Sequence, residues 1–425
     1  MIFTKGLDFI CNSIQSCGYD AFVVGGYVRN ILLCEKDNFD YDVITNAKPN
    51  QIAKIFKNES LDLSALPFGC VTVNYEGCSY QITTFRKEGN YEDNRHPGFI
   101  EFCDDIHLDL IRRDFTINAI AYNKKLGFID DFNGFYDMRN RILKTVKCAT
   151  ASFEEDSLRI LRALKFASLY SLDIEEQTES AIFGKCHLLK NISENRIAAE
   201  FFATIMGKNA NFVLKKYRNV IFNAIPELKI MNDKFISGKN YYEFVVDCAC
   251  ECKTLESKVA CLFAPVNRKT PLALLEKESD YKNTVKKYCL NKQFSNVVIN
   301  YIAIGFLPLG VDAKKRVFQY LSDNFDDFFD MQLSISKVCD LYFNTNFVAR
   351  TKKIVKQLNY AINSGCYKIN HLKINGNDLI ELNFAQMQIK YVLEKLLDLV
   401  ISGELQNEKE ELLNYAKTSF LKLGT

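Results

Sequence analysis

The sequence predicts an α/β head followed by a long α-helical remainder. Short runs of β-branched and aromatic residues gather in the first third of the chain, which is typical of strands. After about residue 150, apolar residues recur with the spacing of helices, and beyond Pro308 no proline interrupts them. The runs predicted to be strands are Phe22 to Val24, Val71 to Val73, Tyr80 to Thr84 and Gly127 to Ile129.

The composition is that of an ordinary soluble protein. With 425 residues, 48% of them hydrophobic and 25% charged, the chain can form more than one packed core and is neither disordered nor collagen-like. The 54 Lys and Arg residues against 52 Asp and Glu leave a formal charge of +2, so a nucleic-acid partner must meet a local basic surface. No stretch reaches the roughly 18 apolar residues of a membrane span, and no membrane partner is expected.

Fifteen cysteines are present without a C-x-x-C pair. The densest group, Cys248, Cys250 and Cys252, has one-residue gaps that fit the usual zinc spacings poorly. We therefore expect reduced, structural thiols, which are typical of the cytosol. The segment from Met1 to Val24 shows neither a secretory nor an organellar signal, so the predicted location is cytoplasmic.

Gly25 and Gly26 lie between a predicted strand and the first turn of a predicted helix. Glycine lets the backbone come close to a ligand, and the N-terminus of a helix presents N–H groups and the positive end of its dipole to phosphate. Alone, a two-glycine turn is more often a plain connection between strand and helix. Its functional interpretation depends on the residues that follow.

An acidic pair, Asp40 and Asp42, follows about a dozen residues later on another predicted strand. Alternation along a strand places both carboxylates on the same face, a few ångströms apart. Two carboxylates so close repel each other unless a cation lies between them, and Mg²⁺ is normally held by one or two carboxylates together with substrate phosphates. The pair is therefore predicted to bind Mg²⁺, while the preceding glycines disfavour the alternative of a solvated strand edge.

The glycine turn and the acidic pair, in this order, resemble the nucleotidyltransferase superfamily that includes DNA polymerase beta. The specific resemblance is to the class II (bacterial-type) tRNA nucleotidyltransferases, the CCA-adding enzymes, whose close relatives are bacterial poly(A) polymerases. Three further blocks resemble the family's flexible loop, its ribose-reading motif and its nucleobase motif, in family order. They are Thr83 to Glu88 continuing to Arg95-His96-Pro97, Arg112 to Ala119, and Glu155 to Arg162.

The resemblance implies two-metal catalysis in which Asp40 and Asp42 hold two Mg²⁺ ions. It also implies that basic side chains contact the triphosphate and that Asp156 and Arg159 select the base. The implied nucleotide-binding residues are Gly25, Gly26, Arg29, Arg113, Asp114, Asp156, Arg159, Arg162 and Lys165.

The nucleobase block also has a direct chemical interpretation. Ser152 and Glu155 form a capping box that predicts a helix starting at Phe153, on which Asp156 and Arg159 are neighbours. Because Asp accepts hydrogen bonds and Arg donates them, the couple matches the donor and acceptor that cytosine and adenine share, and it leaves guanine and uracil unpaired. An ordinary intrahelical ion pair is the alternative.

Three positions depart from the family pattern. Asn30 stands where an Asp usually follows Val-Arg, and Asn195 replaces a Glu. Gln81 stands where a third carboxylate commonly precedes the Thr-Thr-Phe-Arg block. The change at Gln81 matters most, because a third metal-facing acid would be absent.

Two features favour complete CCA addition over the activities of close relatives. Poly(A) polymerases of this family carry an Arg-Arg-Phe signature after the acidic pair, which residues 64–73 lack. CC-only enzymes typically lack part of the flexible loop, which here is uninterrupted from Arg86 to His96. Two alternatives stay open: a partial enzyme that adds only CC, only A or poly(A), and a nucleotide- or RNA-binding protein that has lost catalysis.

The resemblance thus implies template-independent addition of CCA to tRNA from CTP and ATP. The implied partner is tRNA, bound at its 3′ end and its elbow, and no DNA partner is expected. The predicted architecture is a polymerase-beta-like α/β nucleotidyltransferase head followed by an all-α neck, body and tail. The predicted boundaries are 1–147 for the head, 148–205 for the neck with its nucleobase-selecting helix, 206–330 for the body and 331–425 for the tRNA-binding tail.

Overall fold

The computed structural model describes residues 3–35, 40–91, 97–236, 238–264, 278–289, 291–306, 313–321 and 325–420. The chain divides into two compact units, Met1–Pro226 and Glu227–Thr425. The predicted α/β head with a helical remainder is confirmed. The finer division into head, neck, body and tail stays a prediction.

The first unit is built on a seven-stranded sheet with the strand order β3-β4-β5-β2-β1-β8-β9. Strands β2 and β5 pair in parallel, and the other neighbours are antiparallel. All four predicted strands are present. The strands of the unit are β1 (Ala21–Val24), β2 (Tyr41–Thr45), β3 (Ser60–Asp62), β4 (Cys70–Tyr75), β5 (Cys78–Thr84), β6 (Arg86–Tyr91), β7 (Pro97–Phe102), β8 (Ala121–Asn123), β9 (Gly127–Ile129), β10 (Ile142–Leu143) and β11 (Asp173–Ile174).

Helices cover this sheet and continue the unit after it. They are α1 (Lys5–Ser16), α2 (Gly26–Leu32), α3 (Pro49–Ile55), α4 (Ile106–Leu110), α5 (Gly134–Arg139), α6 (Ala149–Glu155), α7 (Leu158–Tyr170), α8 (Glu176–Lys185), α9 (Glu194–Ile205), α10 (Ala210–Lys216) and α11 (Arg218–Ala224).

Alternation of side chains along β1 and β2 sets up the site. Val24 and Ile44 are buried in a core that also contains Ile106 and Leu110 of α4. Asp42 lies on the same face as Ile44, two residues closer to the start of β2, because side chains two apart on a strand share a face. The core therefore ends where the acidic pair begins.

In its described residues, the second unit consists mostly of helices. Its interior contains fully buried side chains such as Tyr242, Phe328, Leu358, Leu396 and Leu412. Its elements are β12 (Phe235–Ile236), β13 (Lys239–Asn240), α12 (Tyr241–Glu251), α13 (Leu255–Phe263), α14 (Glu278–Tyr288), α15 (Lys292–Ile304), α16 (Ala313–Tyr320), α17 (Phe325–Phe343), α18 (Phe347–Ser364), α19 (Gly376–Glu381), α20 (Gln386–Ser402) and α21 (Lys409–Ser419). Within the described ranges, no helix combines the length and the apolar character that a membrane crossing needs.

Candidate active site

A cavity of about 360 Å³ opens in the first unit and brings together most of the predicted site residues. Nine of the eleven predicted residues line it, and Asp156 and Arg159 do not. Its lining residues are Gly25, Gly26, Arg29, Asn30, Asp40, Asp42, Arg113, Asp114, Asn118, Arg162, Lys165, Phe166, Leu169 and Tyr170.

The acidic pair lies where β2 begins. Asp40 precedes the strand and is exposed, whereas Asp42 is half-buried and pairs in register with Val24 of β1. Burial raises the pKa of the Asp42 carboxyl, and the positive charge of Arg113 partly offsets this. The carboxylates thus share one side of the cavity with a nearby guanidinium.

Gly25 brings the backbone of the turn against this pair. Its φ of +69° lies in the left-handed region that side chains disfavour. A Cβ atom at Gly25 would lie 3.2 Å from Oδ2 of Asp42 and 3.6 Å from Arg113 Nη1. The backbone conformation favours glycine here, and a side chain would press on the Asp42 carboxylate.

The acidic pair supplies only some of the oxygen ligands that Mg²⁺ needs. Within the part of the chain that the structure describes, no three or more His, Cys, Asp or Glu residues gather as a metal cluster. Two carboxylates are nevertheless a sufficient protein contribution for Mg²⁺ when substrate phosphates supply further oxygens. The residues present therefore fit Mg²⁺ bound together with a nucleotide.

Three of the four predicted cations are paired with carboxylates. Arg113 Nη2 lies 3.1 Å from Asp109 Oδ2, and Arg162 Nη2 lies 2.6 Å from Asp114 Oδ2. The Lys165 ammonium lies 2.6 Å from a carboxylate oxygen of Glu200 in α9. These carboxylates therefore reduce the positive charge that the three side chains present to a ligand.

Arg29 differs because its hydrogen-bond partners are neutral. Its guanidinium donates to the side-chain oxygens of Asn30 and Asn118 and to the hydroxyl of Tyr170. The rings of Phe166 and Tyr170 each lie 4.8 Å from the guanidinium carbon. The side chain is therefore fixed in place without a counter-charge.

The Asp114 carboxylate is fully engaged by protein groups. Oδ1 accepts from the backbone N–H of Phe115 and from the Asn118 amide, while Oδ2 accepts from Arg162. Burial alone would raise the pKa of Asp114, but Arg162 and Asn118 hold it well below its usual range. Asp114 is therefore ionised, and its structural task is to hold Arg162 at the cavity.

The predicted helix start at Phe153 is wrong. Residue 152 is already helical, and its buried hydroxyl accepts from Arg159 Nη1 at 2.8 Å instead of capping a helix. The helix is interrupted at Asp156, whose backbone is extended, with φ −138° and ψ 101°. The Asp156 carboxylate accepts a hydrogen bond from the backbone N–H of Leu158. Asp156 thus ends α6 and caps the start of α7.

This break changes the relationship between Asp156 and Arg159. The Arg159 guanidinium forms an ion pair with Glu155 at 3.3 Å and donates to the carbonyl of Arg112 at 2.8 Å. Asp156 is half-buried, which raises the pKa of its carboxyl despite the positive charge of Arg159. The predicted intrahelical couple therefore consists of one residue at the helix break and one in the first turn of α7.

The predicted flexible loop forms a hairpin in its described part. Strands β6 and β7 pair antiparallel, from Arg86 opposite Phe102 to Tyr91 opposite Pro97. Glu88 on β6 forms ion pairs with Arg86 and Arg112. Residues 92–96 lie outside the described residues.

The sequence patterns assigned no role to the uncharged side chains that line the cavity and accept hydrogen bonds from Arg29. Tyr170 was not predicted, Asn118 was named only as part of the block from Arg112 to Ala119, and Asn30 was noted only as a departure from the family. The spacing holds a signal for one of them, because Tyr170 lies one helical repeat beyond Phe166 and two beyond Arg162 on α7. The signal for Asn118 is its place in the block that resembles the family's ribose-reading motif.

Comparison with known sequences gives two family matches. Residues 21–144 match the family described as the poly A polymerase head domain. Residues 171–229 match the family described as the probable RNA- and SrmB-binding site of polymerase A.

Two curated relatives show how far the likeness extends. The chain is 30% identical to the CCA-adding enzyme of Ligilactobacillus salivarius over 425 residues, which covers 98% of this chain and 96% of that enzyme. It is 40% identical over 216 residues to the CCA-adding enzyme of Lactobacillus delbrueckii subsp. bulgaricus, covering 51% of this chain. In that match the chain spans about half of the relative, namely 54% of its length.

Solved structures share the fold along nearly the whole chain. The Bacillus stearothermophilus CCA-adding enzyme in complex with CTP superimposes with a TM-score of 0.69 at 24% identity, covering 99% of this chain and 98% of that one. The Thermotoga maritima CCA-adding enzyme complexed with tRNA gives a TM-score of 0.66 at 20% identity, covering 97% and 94%. At these identities the likeness shows the fold alone.

Proposed function

Because this chain belongs to the family of CCA-adding enzymes, we propose that it adds CCA to the 3′ end of tRNA, using CTP and then ATP. The observation that carries the proposal is the cavity in which Asp40, Asp42 and the glycine turn face four cationic side chains. Carboxylates for metal and cations for phosphate are the two groups that nucleotidyl transfer requires.

In the proposed reaction, the 3′-hydroxyl oxygen of tRNA attacks the α-phosphorus of the nucleoside triphosphate. A new phosphodiester bond forms, the bond between the α- and β-phosphates breaks, and pyrophosphate leaves. Asp40 and Asp42 would hold Mg²⁺, as in the sites that bind this ion through one or two carboxylates. The chemistry that bound Mg²⁺ supplies is activation of the 3′-hydroxyl and stabilisation of the leaving pyrophosphate.

The other cavity residues bind the triphosphate in this proposal. Gly25 and Gly26 let the backbone approach the phosphates. Arg29, Arg113, Arg162 and Lys165 line the same cavity and supply positive charge. Asp114 acts through Arg162, whose guanidinium it orients by accepting a hydrogen bond from Nε and forming an ion pair with Nη2.

Base selection is assigned to Asp156 and Arg159. Asp156 lies at the break between α6 and α7, and Arg159, in the first turn of α7, is held by Ser152 and Glu155. Asp156 accepts hydrogen bonds and Arg159 donates them, which suits the edges of cytosine and adenine.

The second unit is proposed to hold the elbow of tRNA. Lys352, Lys353 and Lys356 are exposed on α18 and can contact phosphate. The proposed division is a head over 1–147, a neck over 148–205, a body over 206–330 and a tail over 331–425. The proposed location is the cytoplasm, because fifteen cysteines without a disulfide suit a reducing compartment.

One experiment distinguishes the branches of the family. Purified protein is given tRNA transcripts that end before CCA, after C and after CC, each with Mg²⁺ and a single labelled nucleoside triphosphate. Complete CCA addition predicts CMP on the first two transcripts and AMP on the third. Extension of only some transcripts identifies a CC-adding or an A-adding enzyme, long AMP tails identify a poly(A) polymerase, and binding without incorporation identifies a protein that has lost catalysis.

A further inference from the structure

Asp109 is a fully buried carboxylate to which the proposed reaction assigns no task. It lies on α4, does not line the cavity, and divides its two oxygens between consecutive arginines. Oδ1 accepts from Arg112 Nε at 3.0 Å and from Arg112 Nη2 at 2.7 Å. Oδ2 accepts from Arg113 Nη2 at 3.1 Å. One buried side chain therefore fixes two neighbouring residues.

Arg113 is the one of these two arginines that lines the cavity. Its Nη1 atom lies 3.6 Å from the position that a Cβ atom of Gly25 would occupy. Its Nε atom has no hydrogen-bond partner among the residues that the structure describes. Within that part of the chain, Asp109 is therefore the carboxylate that orients the Arg113 guanidinium toward the glycine turn.

Arg112 contacts the base-selecting residue through its backbone. Its guanidinium forms ion pairs with Asp109 at 2.7 Å and with Glu88 at 3.1 Å. Its carbonyl oxygen accepts a hydrogen bond from Arg159 Nη2 at 2.8 Å. Because the ion pairs restrain the Arg112 side chain, they also restrain the backbone that carries this carbonyl. Asp109 therefore helps to hold Arg159 in place.

A merely structural ion pair is the alternative role for Asp109. A buried ion pair is a weak source of stability, because well-packed apolar side chains of similar volume often stabilise a core as well. A carboxylate, however, offers two charged acceptors at a fixed separation, and an apolar side chain could orient neither arginine. The buried charge is therefore explained better by the orientation of its partners than by stability.

We propose that Asp109 is a positioning residue that couples triphosphate binding to base selection. It acts on the phosphates through Arg113, and on the base through the Arg112 carbonyl and Arg159. The inference rests on the proposed function and identifies one anchor that is shared by the two halves of the nucleotide site. Asp109 itself touches neither the phosphates nor the base.

The first test compares Asp109→Asn with Asp131→Asn in the full chain. Asn has the shape of Asp but only one acceptor oxygen, so it cannot hold both arginines. Asp131 pairs with His107, also on α4, so its variant removes a more exposed carboxylate without touching either arginine. Circular dichroism at the titration temperature establishes that each variant is folded.

Calorimetric titrations in the presence of Mg²⁺ measure the two routes separately. The Kd for inorganic pyrophosphate, which has no base, should be about tenfold higher in Asp109→Asn, as expected for one lost charge-assisted hydrogen bond. The ratio of the Kd for UTP to the Kd for CTP should fall about threefold, because Arg159 is held less firmly. Neither quantity should change in Asp131→Asn.

Two further variants test the routes one at a time. Arg113→Gln removes the guanidinium, so adding Asp109→Asn to it should raise the Kd for pyrophosphate no further. Arg112→Lys keeps the charge beside Asp109 but loses the forked hydrogen bonds. It should lower the ratio of the UTP and CTP Kd values and leave the Kd for pyrophosphate unchanged, and it tests the base route even if Asp109→Asn does not fold.

A folded Asp109→Asn variant that binds pyrophosphate, CTP and UTP like Asp131→Asn would overturn the inference and leave Asp109 a structural residue. A change in only one of the two quantities, additive losses with Arg113→Gln, or an unchanged ratio in Arg112→Lys would also overturn it. Binding of CTP by the wild type without extension of tRNA would contradict the proposed function alone. Absence of pyrophosphate and CTP binding by the wild type would contradict both.

Discussion

Asp42 and Gln81 are paired residues on the neighbouring parallel strands β2 and β5. Paired residues on adjacent strands point to the same face of a sheet, so the Gln81 side chain shares the sheet face of Asp42. Gln81 is exposed, as a side chain at the edge of the site should be. The position at which the family commonly carries a third acid is therefore next to Asp42 and carries no charge here.

This pairing predicts the effect of Gln81→Glu. A carboxylate at this position adds a third oxygen donor beside Asp42 and should lower the Mg²⁺ concentration needed for half-maximal nucleotide incorporation by about threefold or more. A Mg²⁺ titration of CMP incorporation measures this. Gln81→Met, of similar size and uncharged, is the control, and equal Mg²⁺ dependence in the two variants would show that residue 81 points away from the metal.

Asp109 supports the cavity from within the core. Its side chain is fully buried and accepts from Arg112 at 2.7 Å and from Arg113 at 3.1 Å. Asp109→Asn removes the carboxylate partner of Arg113 and one of the two carboxylate partners of Arg112, so the free energy of unfolding should fall by about 3 kcal/mol. Asp131→Asn, which breaks the more exposed pair with His107, should cost about 1 kcal/mol or less. Denaturant unfolding of both variants measures the difference, and equal reductions in stability would contradict the assigned role of Asp109.

The effect of Asp109→Asn should also depend on pH. Burial tends to raise the pKa of Asp109, but Arg112 and Arg113 together lower it below its usual range. A carboxyl with a lowered pKa in the folded state stabilises the protein above its unfolded pKa and loses this contribution as the pH falls through the folded value. The stability difference between the wild type and Asp109→Asn should therefore persist at neutral pH and shrink only in strong acid.

The helix break at Asp156 allows its two roles to be separated. Asp156→Ala should remove both the cap on Leu158 and the hydrogen bond to the base, lowering stability by about 1 kcal/mol and reducing the kcat/KM ratio of CTP and ATP over GTP and UTP. Asp156→Asn preserves a capping oxygen, so it should retain stability while losing discrimination. If Asp156→Asn discriminates like the wild type, the residue is only a cap.

The proposed tRNA partner predicts a salt-dependent affinity despite the net charge of +2. Local Lys and Arg residues release counterions from phosphates, so the Kd for tRNA should rise steeply with salt. Replacing Lys352, Lys353 and Lys356 by Ala should weaken binding and reduce the salt slope by about one for each phosphate that the variant no longer binds. A tRNA affinity that is flat between low and physiological salt would contradict this partner.

Local patterns in the sequence were enough to predict five of the seven strands of the sheet, including the strand that carries Asp42, although Asp40 precedes that strand. The alternation that buries Val24 and Ile44 also places Asp42 at the end of the same face, and it needs no distant contact. The capping box at Ser152 failed because the buried hydroxyl is used by Arg159, whose guanidinium also binds the carbonyl of Arg112, 47 residues away. Local pattern cannot show such a tertiary contact.

The neutral surroundings of Arg29 were unpredictable for the same reason. Asn118 lies 89 residues from Arg29 along the chain, and Tyr170 lies 141 residues away. Only the packing of α2 against the segment around Asn118 and against α7 reveals that these side chains meet. The missing charge at Asn30 was visible in the sequence, but its consequence depends on these distant partners.

The most direct test of nucleotidyl transfer in this cavity is incorporation of labelled CMP and AMP into tRNA lacking CCA. The wild type with Mg²⁺ should complete CCA, whereas Asp40→Ala and Asp42→Ala should each lose incorporation by at least about a thousandfold while retaining the Tm of a folded protein. Near-normal incorporation by either folded variant, or no incorporation by the wild type, would contradict the account.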